Sequence, residues 1–355
     1  MLVLVGAGVL ALVAISCSGG TADNAGSPTT HTGPPTFDDV DAAMTRRVAD
    51  EGLDGGAVLV VQHGHVIHRA IYGQYHGDET ISIASASKWL TAATLMTLVD
   101  DGKLTLDDPI TRWLPAFAAH PDMAPVTLRQ LLAHLSGIDQ DDCIWDRSTT
   151  LAACTDDIAG TKLVSEPGRQ FNYGNTDYQV AARLGEVASG QSFQDLFFDR
   201  IARPLAMTST RFDEGDPTDN PTPAASGRSS LDDYAHFLEL MAGGGMYRGA
   251  RILSEASVHE MLHDQTAGHE NADDFAVRIT GVPRYGLGMW LDRDDDHGDA
   301  VVASGSGSLG FYPWVDRAHD SYGIVEVEDH AGGDGRAVRE SQRVCNLAIG
   351  ATPPT

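Results

Sequence analysis

The chain has 355 residues, 42% of them hydrophobic and 21% charged, the balance of a globular protein long enough to bury a substantial core. Acids outnumber bases 50 to 24, the formal net charge is −26, and lysine occurs only at Lys88, Lys103 and Lys162. A surface this acidic repels phosphate backbones and anionic lipid, which excludes nucleic acid as a partner and charge-driven docking on membranes.

Residues Leu2 to Ile15 form an apolar run of signal-peptide length, too short to span a bilayer, that ends in Ala14-Ile15-Ser16-Cys17. Small residues leading into a cysteine have the form of a bacterial lipoprotein cleavage site, so residues 1–17 are expected to be a leader and Cys17 to be lipidated. Residues 18–36, rich in Gly, Ser, Thr and Pro, are expected to be a flexible tether. The expected location is therefore the cell envelope or the exterior, with any membrane attachment made through the lipid.

A first helix is predicted from Asp38 to Gly52, followed by a hairpin of Ala57 to Val61 and Val66 to Tyr72 joined through Gln62-His63-Gly64. Helical spacing then dominates, over Lys88 to Asp101, Val126 to His134, Asp177 to Ser189, Ser192 to Ala202 and Ser230 to Gly243. Strand patterns return at Gly286 to Leu291, Ala300 to Ala303, Gly310 to Val315 and Tyr322 to Val327, before a final helix from Gly335 to Ala348. Strands at both ends with helices between them predict an α/β fold. Its antiparallel β-sheet is built from both chain ends and flanked by helices, with a mostly helical region inserted.

Two short motifs carry chemistry. In Ser85-Ala86-Ser87-Lys88 the i, i+3 spacing lets Ser85 and Lys88 touch on one helix face while Ser87 points elsewhere. A serine hydroxyl becomes a nucleophile when a neighbour takes its proton, and a helix N-terminus adds N–H groups that stabilise an oxyanion. In Phe171-Asn172-Tyr173-Gly174-Asn175, the Tyr-x-Asn spacing puts a phenol and an amide on the same side of a short loop. Tyr173 could relay a proton if a nearby ammonium lowered its pKa.

With these residues the chain resembles the serine β-lactamase and penicillin-binding-protein superfamily, and within it the branch of class C β-lactamases, DD-peptidases and esterases. The resemblance extends through Leu104-Thr105-Leu106-Asp107-Asp108-Pro109, through Val126 to Gly137 with its His134-Leu135-Ser136-Gly137, and through Pro204-Leu205-Ala206-Met207, Ser230 to Tyr234 and Tyr285-Gly286-Leu287-Gly288. It implies one hydrolase domain over 37–350, its α/β part at 37–88 and 280–350 and its helical part at 89–279. It also implies roles: Ser85 carries the acyl group, Lys88 and Tyr173 share the general-base work, and Asn175 orients the substrate. The oxyanion hole would combine the N–H of Ser85 with one from a strand edge near Ser304 to Ser308. The expected activity is hydrolysis of an ester or amide, as an esterase, a D-amino-acid peptidase or a β-lactamase-like enzyme. It needs no cofactor, and its substrate is a small molecule or cell-wall peptide.

The third motif departs from the family. Where Lys-Thr-Gly or His-x-Gly is usual, this chain has Ser304-Gly305-Ser306-Gly307, so Ser304 or Gly305 stands where the cation would be. The departure leaves room for a catalytically impaired member that binds cell-wall fragments. A more remote alternative is a zinc peptidase, because His259-Glu260-Met261-Leu262-His263 has zincin spacing and His269 follows six residues later. Thr266 replaces the glycine that the extended pattern needs, and no metal is expected. Cys143 and Cys154 are expected to form a disulfide in an oxidising compartment, leaving Cys345 as a buried thiol.

Overall fold

A computed structural model describes residues 33–213, 215–271, 275–282, 284–332 and 335–355, so the expected leader and nearly all of the tether lie outside the described residues. Residues Pro34–Thr355 form one compact unit. Helix α1, Phe37–Glu51, is opened by a Thr36/Asp39 capping box, in which the side chain of each residue meets the backbone of the other. Strands β1 (Gly55–Gln62) and β2 (His65–Gly73) follow as a hairpin.

The later strands are β3 (Trp290–Asp294), β4 (Ala300–Ser304), β5 (Tyr312–Asp316) and β6 (Ser321–Glu326). The six strands make one antiparallel sheet in the order β2-β1-β6-β5-β4-β3. Strand β1 pairs with β6 from Ala57↔Glu326 to Gln62↔Ser321, which joins the two ends of the chain. Both faces of β1 are covered. Ala57, Leu59 and Val61 enter the larger core with the inserted helices, whereas Val58 and Val60 pack with Val40 and Met44 of α1 and with Val344 and Ala348 of the terminal helix.

Helix α2, Ser87–Asp100, is the axle of the larger core. Its residues from Ser87 to Leu98 are all buried, as expected of a helix enclosed on every side. Around it lie α3 (Leu151–Ala159), α4 (Thr176–Ser189), α5 (Leu231–Ala242) and α6 (Glu255–Met261). The short α7, Phe275–Thr280, precedes β3, and α8, Arg336–Ala351, closes the chain.

Two strand boundaries depart from the sequence reading. The strand expected from Gly286 to Leu291 begins only at Trp290, and Gly286 to Met289 crosses α2 as a tight loop. The crossing is so close that a β-carbon at Gly288, where φ is +100°, would lie 2.8 Å from the Lys88 carbonyl oxygen. The Gly310 to Val315 strand likewise starts later, at Tyr312, after a turn with Gly310 at φ +98°.

Cys143 and Cys154 are joined by a disulfide, with Cα atoms 5.4 Å apart, and Cys345 is a free buried thiol. Among the described residues no helix is long and apolar enough to cross a membrane.

Candidate active site

Ser85 sits in a single 3-10 turn, Ala84–Ala86, that runs directly into α2. Its backbone N–H is therefore among the first of the helix, where no intrahelical carbonyl is available. The preceding residue, Ala84, has φ +43°, a conformation that a β-carbon disfavours and that surrounding structure must enforce. Ser87, one turn position on, faces away and accepts the Gly227 N–H at 3.0 Å.

Lys88 is completely buried. Its Nζ donates to Asn175 Oδ1 at 2.8 Å, to Ser85 Oγ at 3.2 Å and to the Ala224 carbonyl at 3.3 Å. It also lies over the Tyr173 ring, 4.6 Å from the centroid. Removal from water pulls the lysine pKa down to about 7, against the opposing pull of the Asp177 carboxylate. An amine so depressed gives up its proton far more readily than an ordinary lysine and, once neutral, can accept one from Ser85. Because Asn175 turns its oxygen to Lys88, its NH₂ group faces the other way.

In the layer behind these groups the sequence points to His134 as a wall residue, but sequence reasoning missed Asp177 and Ser136. Asp177, in the first turn of α4, is buried, and its Oδ1 accepts from Ser136 Oγ at 2.5 Å while Oδ2 lies 3.5 Å from His134 Nδ1. Burial raises this carboxyl, while the Ser136 hydrogen bond and Lys88 lower it. His134, at φ +59°, is buried against the rings of Phe171, Tyr173, Tyr178 and Tyr285, and burial with the nearby Lys88 holds it neutral, its pKa far below the usual range. Tyr173 is stacked on Trp290 at 5.0 Å between centroids. The phenol is thus clamped between an imidazole and an indole.

The third motif continues β4 past the last residue that pairs with β3. The Gly305 and Gly307 N–H groups bond to the carbonyls of Pro313 and Phe311, toward β5. Strand alternation then turns the Ser306 N–H to the opposite edge, and Ser306 lines a cavity of about 350 Å³ together with Ser85 and Tyr173. Ser304, one expected replacement for the cation, does not face the cavity: it is buried and its hydroxyl bonds to Tyr312 at 3.1 Å. The other, Gly305, would direct a β-carbon at Trp89, Pro313 and Ala86. Among the described residues, none of the side chains lining the cavity carries a positive charge. Arg284 does not supply one either, because it pairs with Asp264 and Asp294 beside a different cleft.

The zincin-like histidines are engaged elsewhere. Helix α6 ends at Met261, and Glu260 is drawn to Arg129. His259 and His263 both turn to Asp299, and His269 bonds to the Gly168 carbonyl.

Residues 40–343 match the β-lactamase family as a whole. The chain belongs to that family. The protein Rv1367c of Mycobacterium tuberculosis is 27% identical over 78% of this chain and 84% of its own length. A solved structure from Bacteroides dorei, provisionally named a β-lactamase, is 30% identical with a TM-score of 0.82 and covers 90% of this chain and 99% of that one. EstCE1, described as a hydrolase with promiscuous acyltransferase activity, shares the fold at 19% identity and a TM-score of 0.71, over 87% of this chain and 98% of its own. Membership of the β-lactamase family places this chain among serine hydrolases in the broad sense.

Proposed function

We propose that the protein hydrolyses uncharged esters through an acyl-enzyme on Ser85, in preference to penicillins or D-alanyl-D-alanine peptides. The observation that carries this reading is Lys88 Nζ, buried with a pKa near 7 and 3.2 Å from Ser85 Oγ. Neutral Lys88 takes the serine proton, directly or through Tyr173, as the Ser85 oxygen bonds to the acyl carbon. The oxyanion that forms is held by the Ser85 and Ser306 N–H groups. The bond to the alcohol then breaks, and the alcohol departs with the proton that Ser85 gave up. Water repeats the sequence in reverse and frees the acid.

The ester preference follows from the cavity lining. Penicillins and D-Ala-D-Ala peptides carry a carboxylate next to the scissile bond, and among the described residues no positive side chain lines the cavity to hold it. EstCE1, which shares the fold, is described as a hydrolase with promiscuous acyltransferase activity, which supports acyl transfer on this scaffold. The disulfide supports an oxidising compartment, in keeping with export through residues 1–17 and lipidation at Cys17. Intact-mass labelling followed by peptide mapping tests the reading. A fluorophosphonate should add once, at Ser85, and a penicillin slowly or not at all. A label on Ser87 or Ser306 would overturn it.

A further inference from the structure

We propose that the cavity beside Ser85 is a leaving-group site that selects esters of short apolar alcohols. The inference rests on the acyl-enzyme reading and adds the substrate class. The cavity lining is of two kinds. Ser85, Asn172, Tyr173, Ser306 and Ser308 are polar, while Ala276, Ile279, Trp290 and Val338 are apolar. Ala276 and Ile279 come from α7, Val338 from the first turns of α8 and Trp290 from the start of β3, so three separate elements turn apolar side chains onto one space. The hydroxyl of Thr280, which also lines it, is used within α7, donating to the Ala276 carbonyl at 3.0 Å. Among the described residues, the apolar part of the lining therefore offers an occupant no charge and little hydrogen bonding.

The side of the scissile bond that faces this apolar part follows from the proton path. Lys88 is wholly buried and does not line the cavity, so a proton returning to the leaving oxygen reaches it at the Tyr173 side. Tyr173 does line the cavity, and Trp290, which stacks on Tyr173, is part of the apolar wall. The group that receives the proton accordingly has the apolar space next to it. The acyl portion is left to the Asn175 side. At about 350 Å³ the space is at the small end of ligand sites, enough for a short alkyl chain or one ring.

Two ester series separate the sides: acetates of ethanol to octanol, and ethyl esters of acetic to octanoic acid, followed by acid release. kcat/KM should climb with alcohol length by up to about fourfold per methylene until the cavity is full, and stay nearly flat with acyl length. Ile279→Ala should move the optimum to longer alcohols and Ala276→Leu to shorter ones. Shifts of opposite sign cannot both arise from misfolding. A gradient in the acyl series alone, or one that neither variant moves, would overturn the assignment while fluorophosphonate labelling of Ser85 still stood. Failure of that labelling would remove the acyl-enzyme reading and this inference with it.

Discussion

A β-carbon added at Gly307 would collide with the carbonyl oxygen of Ile83. The third motif therefore rests directly on the turn that carries Ser85, backbone against backbone, and this contact sets the distance between the two N–H groups proposed for the oxyanion hole. Gly307→Ala must push the strand away from that turn. Removing one such donor typically costs about 10²–10³ in kcat, and a loss of that order is expected with the fold retained by circular dichroism. Near-wild-type turnover would show that the Ser306 N–H plays no part.

The second prediction is the pH dependence. The lysine pKa is depressed, so Lys88 is a charged ammonium below about pH 7 and a neutral base above it. kcat/KM on an uncharged ester should rise through that region. Asp177 favours the charged lysine, and Asp177→Asn, which preserves an acceptor for Ser136, should move the rise to lower pH. Lys88→Arg, which cannot shed its proton, should lose about 10²–10⁴. An Asp177→Asn profile superimposable on wild type would separate Asp177 from the base.

How far the sequence discloses this arrangement depends on whether a signal is local. Ser85-x-x-Lys88 and Tyr173-x-Asn175 are local, and their side chains meet through Lys88, which bonds to both Ser85 and Asn175. The sheet was also legible, because β1 and β6 are apolar runs near opposite chain ends that pair in register. Asp177 was not: an acid in the first turn of a helix is the ordinary complement to its dipole. Only Ser136 and His134, some forty positions earlier, reveal that this one is buried and bonded. Leu287, Met289 and Leu291 alternate like a strand, yet Leu287 and Met289 are buried by crossing a helix rather than by pairing. For the third motif, composition gave the residues but not their facing. The strand ends at Ser304, whose hydroxyl turns to Tyr312. Only after that end does Ser306 come to line the cavity, which alternation alone does not give because residues two apart share a face.

Third, the disulfide should be measurable as stability. Cys143 and Cys154 close a loop eleven positions long, and in the entropic picture opening it costs up to about 3 kcal/mol. Reduction, or Cys143→Ala with Cys154→Ala, should lower Tm, while Cys345 should react with maleimide only after unfolding because it is buried. Peptide mapping that linked Cys143 to Cys345 would contradict the pairing.

Fourth, hydrolysis should survive EDTA. A zinc mechanism through the histidine motif needs Glu260 free as a base, but it is paired with Arg129, and His269 is bonded to a backbone carbonyl. His259→Ala should change turnover little, since His259 is exposed and meets Asp299 at the surface. Activity that EDTA removed and zinc restored would displace Ser85 from the mechanism.

The last prediction is the choice between neutral and anionic substrates. A charge-assisted hydrogen bond to a carboxylate is worth about 1.5–3 kcal/mol, roughly one to two decades in affinity. Among the described residues the cavity lining offers none, Ser304 is turned to Tyr312, and Arg284 is held by two aspartates. The chain's acidity, with a net charge of −26, further disfavours anions at long range. Nitrophenyl butyrate lacks the carboxylate and still meets Ser85 and the proposed N–H pair. Wild-type kcat/KM should therefore favour it over nitrocefin. Ser306→Lys puts a cation at a third-motif side chain that lines the cavity and leaves the backbone N–H in place. It should raise the nitrocefin-to-ester ratio by about tenfold, with the effect fading at high salt. If wild type instead prefers nitrocefin by about tenfold or more, a single contact of this size cannot be what sets the preference.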